Sequence, residues 1–175
     1  MKPVHILQRA RPWLRDLVIA IGLAAVVVVF LYQPVRVEGV SMLPRIHDQE
    51  RLFINKFVYR LRHIERGDVI VFWYPLDPHR SFIKRVIGLP GERVEIRQGI
   101  VYVNDRPLPE RYVSKIFQCS DNEPPLMVAP GHYYVLGDHR NSSNDSRTWG
   151  LVPQEDIYGK ATLSYWPLDK FGWIQ

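Results

Sequence analysis

Val35-Arg-Val-Glu-Gly-Val-Ser41-Met-Leu-Pro44 lies two residues after the long apolar run of this 175-residue chain and separates it from the rest of the sequence. The alternation of Val35 and Val37 with polar residues predicts an extended strand. A glycine and a proline shape the backbone on either side of Ser41, which we interpret as a candidate nucleophile at the end of that strand. The alternative is an ordinary turn serine, since serine is common beside glycine and proline.

The apolar run extends from Leu17 to Tyr32, and no formal charge occurs between Asp16 and Arg36. At ~1.5 Å per residue, a helix of this length nearly matches a ~30 Å hydrocarbon core. A cleaved signal peptide is the alternative, but the following Gln33-Pro-Val-Arg-Val lacks the small-x-small pattern that cleavage needs. We therefore predict an uncleaved transmembrane anchor.

The distribution of charge predicts how the chain is oriented. Four basic residues and one acidic residue precede the apolar run, and they account for much of the net charge of +5. By the positive-inside rule, this predicts a basic cytoplasmic segment at residues 1–16, a transmembrane anchor at residues 17–35 and an extracytoplasmic β-rich domain at residues 36–175. Membrane lipid is thus a predicted partner, whereas nucleic acid is not. A single cysteine, Cys119, excludes an intrachain disulfide.

Beyond Ser41 the sequence predicts a mainly β fold with a small accessory β-region. Gly67–Pro75 is the clearest strand, rich in Val, Ile and aromatic residues and ended by proline. Arg93–Arg97 and Ile100–Asn104, separated by Gln98-Gly99, predict a hairpin with a two-residue turn. Lys115–Gly131 is predicted to be a loop.

Lys84 is the first candidate partner for Ser41. It interrupts the apolar segment Phe82–Ile87, so in a strand it shares a face with Phe82 and Val86. Burial disfavours an ammonium ion and lowers the pKa of lysine, which can turn the amine into a general base. The alternative is a solvated lysine on an edge strand, where lysine is also favoured.

The polar stretch Gly137–Gly150 offers further candidates. His139 lies in this stretch and could act as the base in a Ser-His-Asp arrangement with Ser41. Asp138, His139 and Asp145 are also metal-ligand types, but the interleaved Arg140 and Arg147 disfavour a cation site. We predict no metal and no cofactor.

Three boxes in this order resemble the type I signal peptidases, membrane-anchored serine proteases that cleave signal peptides from exported preproteins. They read Ser41-Met-Leu-Pro44, Lys84-Arg-Val-Ile-Gly-Leu-Pro-Gly91 and Gly137-Asp-His-Arg-Asn-Ser-Ser-Asn-Asp-Ser-Arg147. The resemblance runs from the anchor to about Pro167. It implies a membrane-anchored β-rich peptidase that acts on signal-peptide-bearing preproteins.

The resemblance also implies roles for individual residues. Ser41 is the expected nucleophile, with its backbone N–H as an oxyanion donor, and Lys84 is the expected general base. Ser143 is expected to orient the Lys84 amine. Two pairs of supporting residues are also expected: Asp145 with Arg147, which would fix the polar stretch, and Asp138 with Arg85, as a second structural pair.

Substrate recognition is expected to follow the family. Small residues at −1 and −3 of an extended substrate would enter shallow apolar pockets. The expected walls are Val35, Val37, Met42, Ile46, Phe82 and Ile83. Two positions depart from the family: Gly39 replaces a serine that supplies a second oxyanion donor in some members, and Arg45 replaces a common threonine.

Two alternative functions share some of these features. A self-processing protease of another family can use a Ser/Lys pair, although no anchor is expected there. A membrane-tethered, non-enzymatic β-domain that binds extended peptides would keep the anchor and the fold but would not depend on Ser41 or Lys84.

Overall fold

The computed structural model describes the backbone of residues 4–174 and the side chains of residues 12–25 and 32–174. The helices are α1 (Val4–Leu31), α2 (Val58–Leu61) and α3 (Ser146–Trp149). The strands are β1 (Tyr32–Arg36), β2 (Arg51–Asn55), β3 (Val69–Tyr74), β4 (Asp77–Gly88), β5 (Arg93–Arg97), β6 (Ile100–Val103), β7 (Arg106–Pro107), β8 (Glu123–Met127), β9 (His132–Leu136), β10 (Val152–Pro153), β11 (Ile157–Trp166) and β12 (Gly172–Trp173).

The helix α1 covers most of the predicted anchor but ends at Leu31, so residues 32–35 of that prediction lie in β1 instead. Residues 26–31 of the predicted anchor have side chains outside the described set. Within the part of the chain that the structure describes, no helix combines the length and the apolar character needed to cross a membrane.

The mainly β prediction is confirmed by two antiparallel sheets. The larger has eight strands in the order β1-β2-β11-β3-β4-β9-β10, with β12 paired to β11. The smaller has four strands in the order β7-β6-β5-β8 and forms the accessory region between β4 and β9. The larger sheet therefore brings the start of the domain, β1 and β2, next to the C-terminal β11.

The predicted hairpin in the small sheet is confirmed. β5 and β6 are joined by Gln98 and Gly99, whose φ angles are 49° and 77°. Positive φ at both central residues is typical of the type I′ turn, whose twist matches the flanking strands. Gly99 is also required for space, because a Cβ there would overlap the carbonyl of Cys119.

The predicted loop at Lys115–Gly131 is wrong in its second half, where β8 forms. Pro124 and Pro125 lie inside this strand and cannot donate backbone hydrogen bonds. They are tolerated because β8 is an edge strand of the small sheet. The two prolines are therefore the reason that β8 was not predicted from the sequence.

Three apolar clusters hold the sheets together, and one lies beneath the segment that contains Ser41. This cluster joins Val37, Met42 and Ile46 to residues from β2, β3 and β11. Met42 and Ile46 are almost completely buried. Burial of such side chains contributes roughly 1.5–3 kcal/mol each, so the segment after β1 is packed onto the sheet rather than left as a free loop.

Candidate active site

Ser41 lies in a turn that is fixed at both ends by backbone hydrogen bonds. Val37 donates to the carbonyl of Glu50 at 2.8 Å, and Gln49 donates to the carbonyl of Val37 at 2.9 Å. Gly39 N–H donates to the Asp48 carboxylate at 2.8 Å. These contacts close residues 37–50 into a compact unit that presents Ser41 at the surface of the sheet.

Lys84 lies in β4, paired with Ile70 of β3, and its amine reaches the serine. The Lys84 Nζ and Ser41 Oγ atoms are 2.8 Å apart, a hydrogen-bond distance. The amine also donates to the carbonyl of Ile83 at 3.0 Å. The structure thus brings together two candidates that are 43 residues apart in sequence.

The environment of Lys84 makes the neutral amine easier to reach than it is for a solvated lysine. Its side chain is only 4% exposed, and burial lowers the pKa of Lys84 to about 8, although the Asp145 and Asp138 carboxylates partly oppose this. A neutral amine has a lone pair that can accept the proton of a hydroxyl. An amine in this state can activate a neighbouring serine as a nucleophile.

The predicted pair of Asp145 and Arg147 is present. Arg147 Nε and Nη2 donate to the two carboxylate oxygens of Asp145 at 2.8 and 2.9 Å. Asp145 also accepts from the N–H of Gly137 at 3.1 Å. Asp145 is fully buried, so this network fixes the end of β9 against the start of α3.

The second predicted pair, Arg85 and Asp138, is also present and is more deeply buried. Arg85 Nε and Nη2 donate to Asp138 at 2.8 and 2.7 Å. Arg85 also donates to the carbonyl of Gly67 at 2.9 Å. Because Arg85 follows Lys84 in β4, the pair connects the lysine strand directly to the polar stretch after β9.

Ser143 lies close to Ser41, but no hydrogen bond joins its hydroxyl to the Lys84 amine. Its Oγ atom is buried and has no hydrogen-bond partner among the described residues. The close approach depends on Gly137: a Cβ there would overlap the Ser143 hydroxyl and lie 2.5 Å from the carbonyl oxygen of Ser41. Ser143 is therefore beside the candidate site with an unused hydroxyl.

A groove of about 490 Å³ runs past Ser41 and Lys84. Four of the six predicted wall residues line it: Val35, Val37, Phe82 and Ile83. The other two, Met42 and Ile46, are in the buried cluster beneath and do not line the groove.

The groove is also lined by residues that the sequence did not predict. They include Val71 from β3, Arg80 and Ser81 from β4, and Tyr158 from β11. Val71 and Tyr158 reach the groove because of the order of the strands in the large sheet. No local sequence pattern predicts this position. Only the charge of Arg80 and the position of Ser81 beside Phe82 could have indicated from sequence that these residues line the groove.

The alternative base, His139, is engaged elsewhere. Its Nδ1 atom is 3.0 Å from the carbonyl oxygen of Val40, and its ring packs against Phe117 with centroids 4.2 Å apart. The carboxylates that suggested a metal site, Asp138 and Asp145, are each bound by an arginine. The Ser41 hydroxyl is thus paired with Lys84 rather than with an imidazole.

Known proteins that are similar to this chain include signal peptidases. Residues 10–166 match the model of the family "Signal peptidase, peptidase S26". A probable signal peptidase I-2 of Synechocystis sp. is 40% identical over 172 residues, covering 95% of this chain and 76% of the relative. Signal peptidase I of Bacillus amyloliquefaciens is 35% identical over 164 residues, covering 89% and 84%. A crystal structure of a signal peptidase I from Enterococcus faecalis is similar, with 36% identity, a TM-score of 0.52, and coverage of 58% of this chain and 98% of that one.

Proposed function

The chain belongs to the signal peptidase family, peptidase S26, and on that basis we propose that it is a serine endopeptidase that removes N-terminal signal peptides from exported preproteins. In this proposal Ser41 is the nucleophile and Lys84 is the general base. The single observation that carries the proposal is the 2.8 Å distance between Lys84 Nζ and Ser41 Oγ.

The proposed reaction uses the neutral Lys84 amine to accept the Ser41 proton as Oγ attacks the scissile carbonyl. The oxyanion of the tetrahedral intermediate is stabilised by the Ser41 backbone N–H. The Lys84 ammonium then donates its proton to the departing amine, which leaves an acyl-enzyme on Ser41. In the second half, Lys84 accepts a proton from water as the water oxygen attacks the acyl carbon. The tetrahedral intermediate then collapses, the signal peptide leaves with its new carboxyl group, and the Lys84 ammonium returns the proton to Ser41 Oγ.

The supporting residues are proposed to keep this pair in place. The Asp145–Arg147 and Arg85–Asp138 pairs hold the stretch after β9 against β4. Ser143 is proposed to accept a hydrogen bond from Lys84 once the amine has become an ammonium ion. Its buried and unpartnered hydroxyl supports this role.

The groove is proposed to bind an extended substrate with small residues at −1 and −3. Val35, Val37, Phe82 and Ile83 line it, and side chains of this size leave shallow apolar pockets that exclude larger residues. Met42 and Ile46 are proposed to support these walls from below, because both are buried in the adjacent core.

The chain is further proposed to be a single-pass membrane protein with residues 1–16 in the cytoplasm and the β-rich domain on the other side. The charge-free run from Leu17 to Tyr32 and the basic flank before it support this arrangement. The anchor would hold the enzyme in the plane of the membrane, where preproteins are delivered.

The test is cleavage of a preprotein with an Ala-x-Ala site by purified protein in detergent with added lipid. Ser41→Ala and Lys84→Ala should both abolish cleavage while remaining folded by circular dichroism. Full activity of Lys84→Ala would remove lysine as the base. No cleavage by the wild type would favour a tethered binding domain instead.

A further inference from the structure

His139 holds the backbone of the candidate nucleophile at two adjacent points. Its ring atom Nδ1 is 3.0 Å from the carbonyl oxygen of Val40, and its backbone N–H donates to the carbonyl oxygen of Ser41 at 3.1 Å. A carbonyl oxygen can only accept, so the Nδ1 atom must carry the hydrogen. His139 therefore binds both peptide groups that flank the Ser41 Cα.

The contact between His139 Nδ1 and the Val40 carbonyl acts on the peptide group that supplies the proposed oxyanion donor. The carbonyl of Val40 and the N–H of Ser41 belong to the same planar peptide group. In a trans peptide they point in opposite directions, so whatever holds the carbonyl also sets the direction of the Ser41 N–H. The carbonyl oxygen of Val40 accepts from the Leu43 N–H at 3.2 Å as well, so His139 acts together with this local turn to fix that direction. A hydrogen bond to the carbonyl also polarises the N–H and strengthens it as a donor. No acceptor for this N–H is found among the described residues.

His139 is itself held in place from several sides. The preceding residue, Asp138, is fixed by its buried pair with Arg85. The imidazole packs against Phe117, which lies in a short 3₁₀ turn at Lys115–Phe117. An imidazole held in this way can keep one rotamer and one tautomer without help from solvent.

We propose that His139 is a positioning residue that orients the Ser41 N–H as the oxyanion donor. This inference rests on the proposed function, since it assigns a role within the same reaction. It also addresses the departure at Gly39: without a side-chain hydroxyl there, stabilisation of the oxyanion depends more heavily on the backbone N–H and its exact direction.

Three substitutions separate this role from a general structural one. The amide nitrogen of asparagine can occupy nearly the same place as Nδ1, whereas that of glutamine reaches further, toward the place of Nε2. We expect His139→Ala and His139→Gln to lower kcat by about 10- to 100-fold, less than or similar to the loss of an oxyanion donor. KM should change little, and His139→Asn should recover most of the lost kcat.

A matched control is available at His132. Its Nδ1 atom makes a similar contact, 2.9 Å from the carbonyl of Pro130, but the residue lies outside the groove. His132→Ala should therefore leave kcat unchanged. Thermal unfolding of every variant identifies any that fail to fold, and the comparison of Asn with Gln at position 139 decides the question even if His139→Ala does not fold.

Inhibitor binding provides a second readout. A peptide aldehyde forms a tetrahedral adduct with the serine, so its inhibition constant should rise in His139→Gln by the same factor as kcat falls. Binding of the uncleaved peptide, measured in a Ser41→Ala background, should be unchanged. Equal activity of the Asn and Gln variants, or an effect on KM alone, would overturn the inference. Failure of the wild type to cleave would instead refute the proposed function, and the inference with it.

Discussion

The guanidinium of Arg85 makes two parallel hydrogen bonds, of 2.8 and 2.7 Å, to the carboxylate of Asp138, and both side chains are almost fully buried. Arg85 follows Lys84 in β4, and Asp138 precedes His139 after β9. The pair therefore ties together the two segments that carry Lys84 and His139, both of which form hydrogen bonds with Ser41.

Breaking this pair should strongly destabilise the domain. Asp138→Asn leaves a buried guanidinium without its counter-ion, and removal of one partner of a buried pair costs about 3–5 kcal/mol. The free energy of unfolding from urea denaturation of the detergent-solubilised protein measures this. Arg97→Gln, which breaks an exposed pair with Glu95, is the control and should leave the unfolding midpoint near that of the wild type. Equal effects of the two substitutions would contradict the structural role of Arg85–Asp138.

Cleavage should increase with pH through the ionisation of Lys84. The active form is the neutral amine, and burial lowers the pKa of Lys84 to about 8. The value of kcat/KM should therefore rise about tenfold per pH unit below this pKa and level off above it. Rates of preprotein cleavage between pH 6 and pH 10 test this. A profile without such an ionisation, or one that rises only near the ordinary pKa of lysine, would argue against Lys84 as the base.

The same lowered pKa predicts a stabilised variant. Below pH 8, Lys84 is charged in both the folded and the unfolded state, and the folded state bears the full cost of burying the charge. Between the folded pKa of about 8 and the ordinary value of 10.5, the unfolded chain binds more protons, so stability rises with pH. Lys84→Met should be more stable than the wild type at pH 7 by about 3 kcal/mol, and this difference should shrink toward pH 10.5. A difference that does not depend on pH would show that the lysine is not buried as described.

Ser143→Ala should lower cleavage without lowering the stability of the protein. The Ser143 hydroxyl is buried without a partner, and such a group costs roughly 1–3 kcal/mol, so its removal should leave the protein as stable or slightly more stable. Cleavage should nevertheless fall by about 10- to 100-fold if the hydroxyl binds the Lys84 ammonium in the transition state. Ser120→Ala, on an exposed loop, is the control for both measurements. Unchanged cleavage by Ser143→Ala would mean that the hydroxyl does not serve Lys84.

Substitutions at Ile83 and Met42 should differ in kind, because only Ile83 lines the groove. Ile83→Ala should widen a pocket and raise the relative cleavage of a preprotein with leucine at −3 or −1. Met42→Ala should lower the free energy of unfolding by about 2–5 kcal/mol with little change in this preference. Cleavage of matched Ala and Leu preproteins, together with urea denaturation, distinguishes the two. A change of preference in Met42→Ala alone would place Met42 in the groove after all.

The candidate site could be predicted from sequence where its residues carry their own chemical signal. Ser41 and Lys84 were candidates because a hydroxyl follows a strand and a cation interrupts an apolar segment, but only the resemblance to the type I signal peptidases favoured them over a turn serine and a solvated lysine. Asp145 and Arg147 are close in sequence, so their pairing is local. The strands with clear alternation and the Gln98-Gly99 turn were predictable for the same reason.

Features that depend on strand order could not be predicted in this way. Tyr158 reaches the groove because β11 pairs with both β2 and β3, a long-range arrangement that no local pattern encodes. The strand β8 was hidden by two prolines that its edge position tolerates. The contact from His139 to Val40 joins residues 99 positions apart, so its partner could not be read from the polar stretch around it.

The alignment of β4 with β3 also determines which kind of cation meets the serine. Lys84 faces Ile70 and Arg85 faces Val69 across this pair. A shift of the strand by a single residue would exchange the two side chains between the faces of the sheet. The serine would then meet a guanidinium, which cannot be deprotonated at any pH relevant to a cell, while the lysine would be held as a cation by Asp138. The register of β4 against β3 therefore decides whether the side chain beside Ser41 can act as a general base or is always a cation.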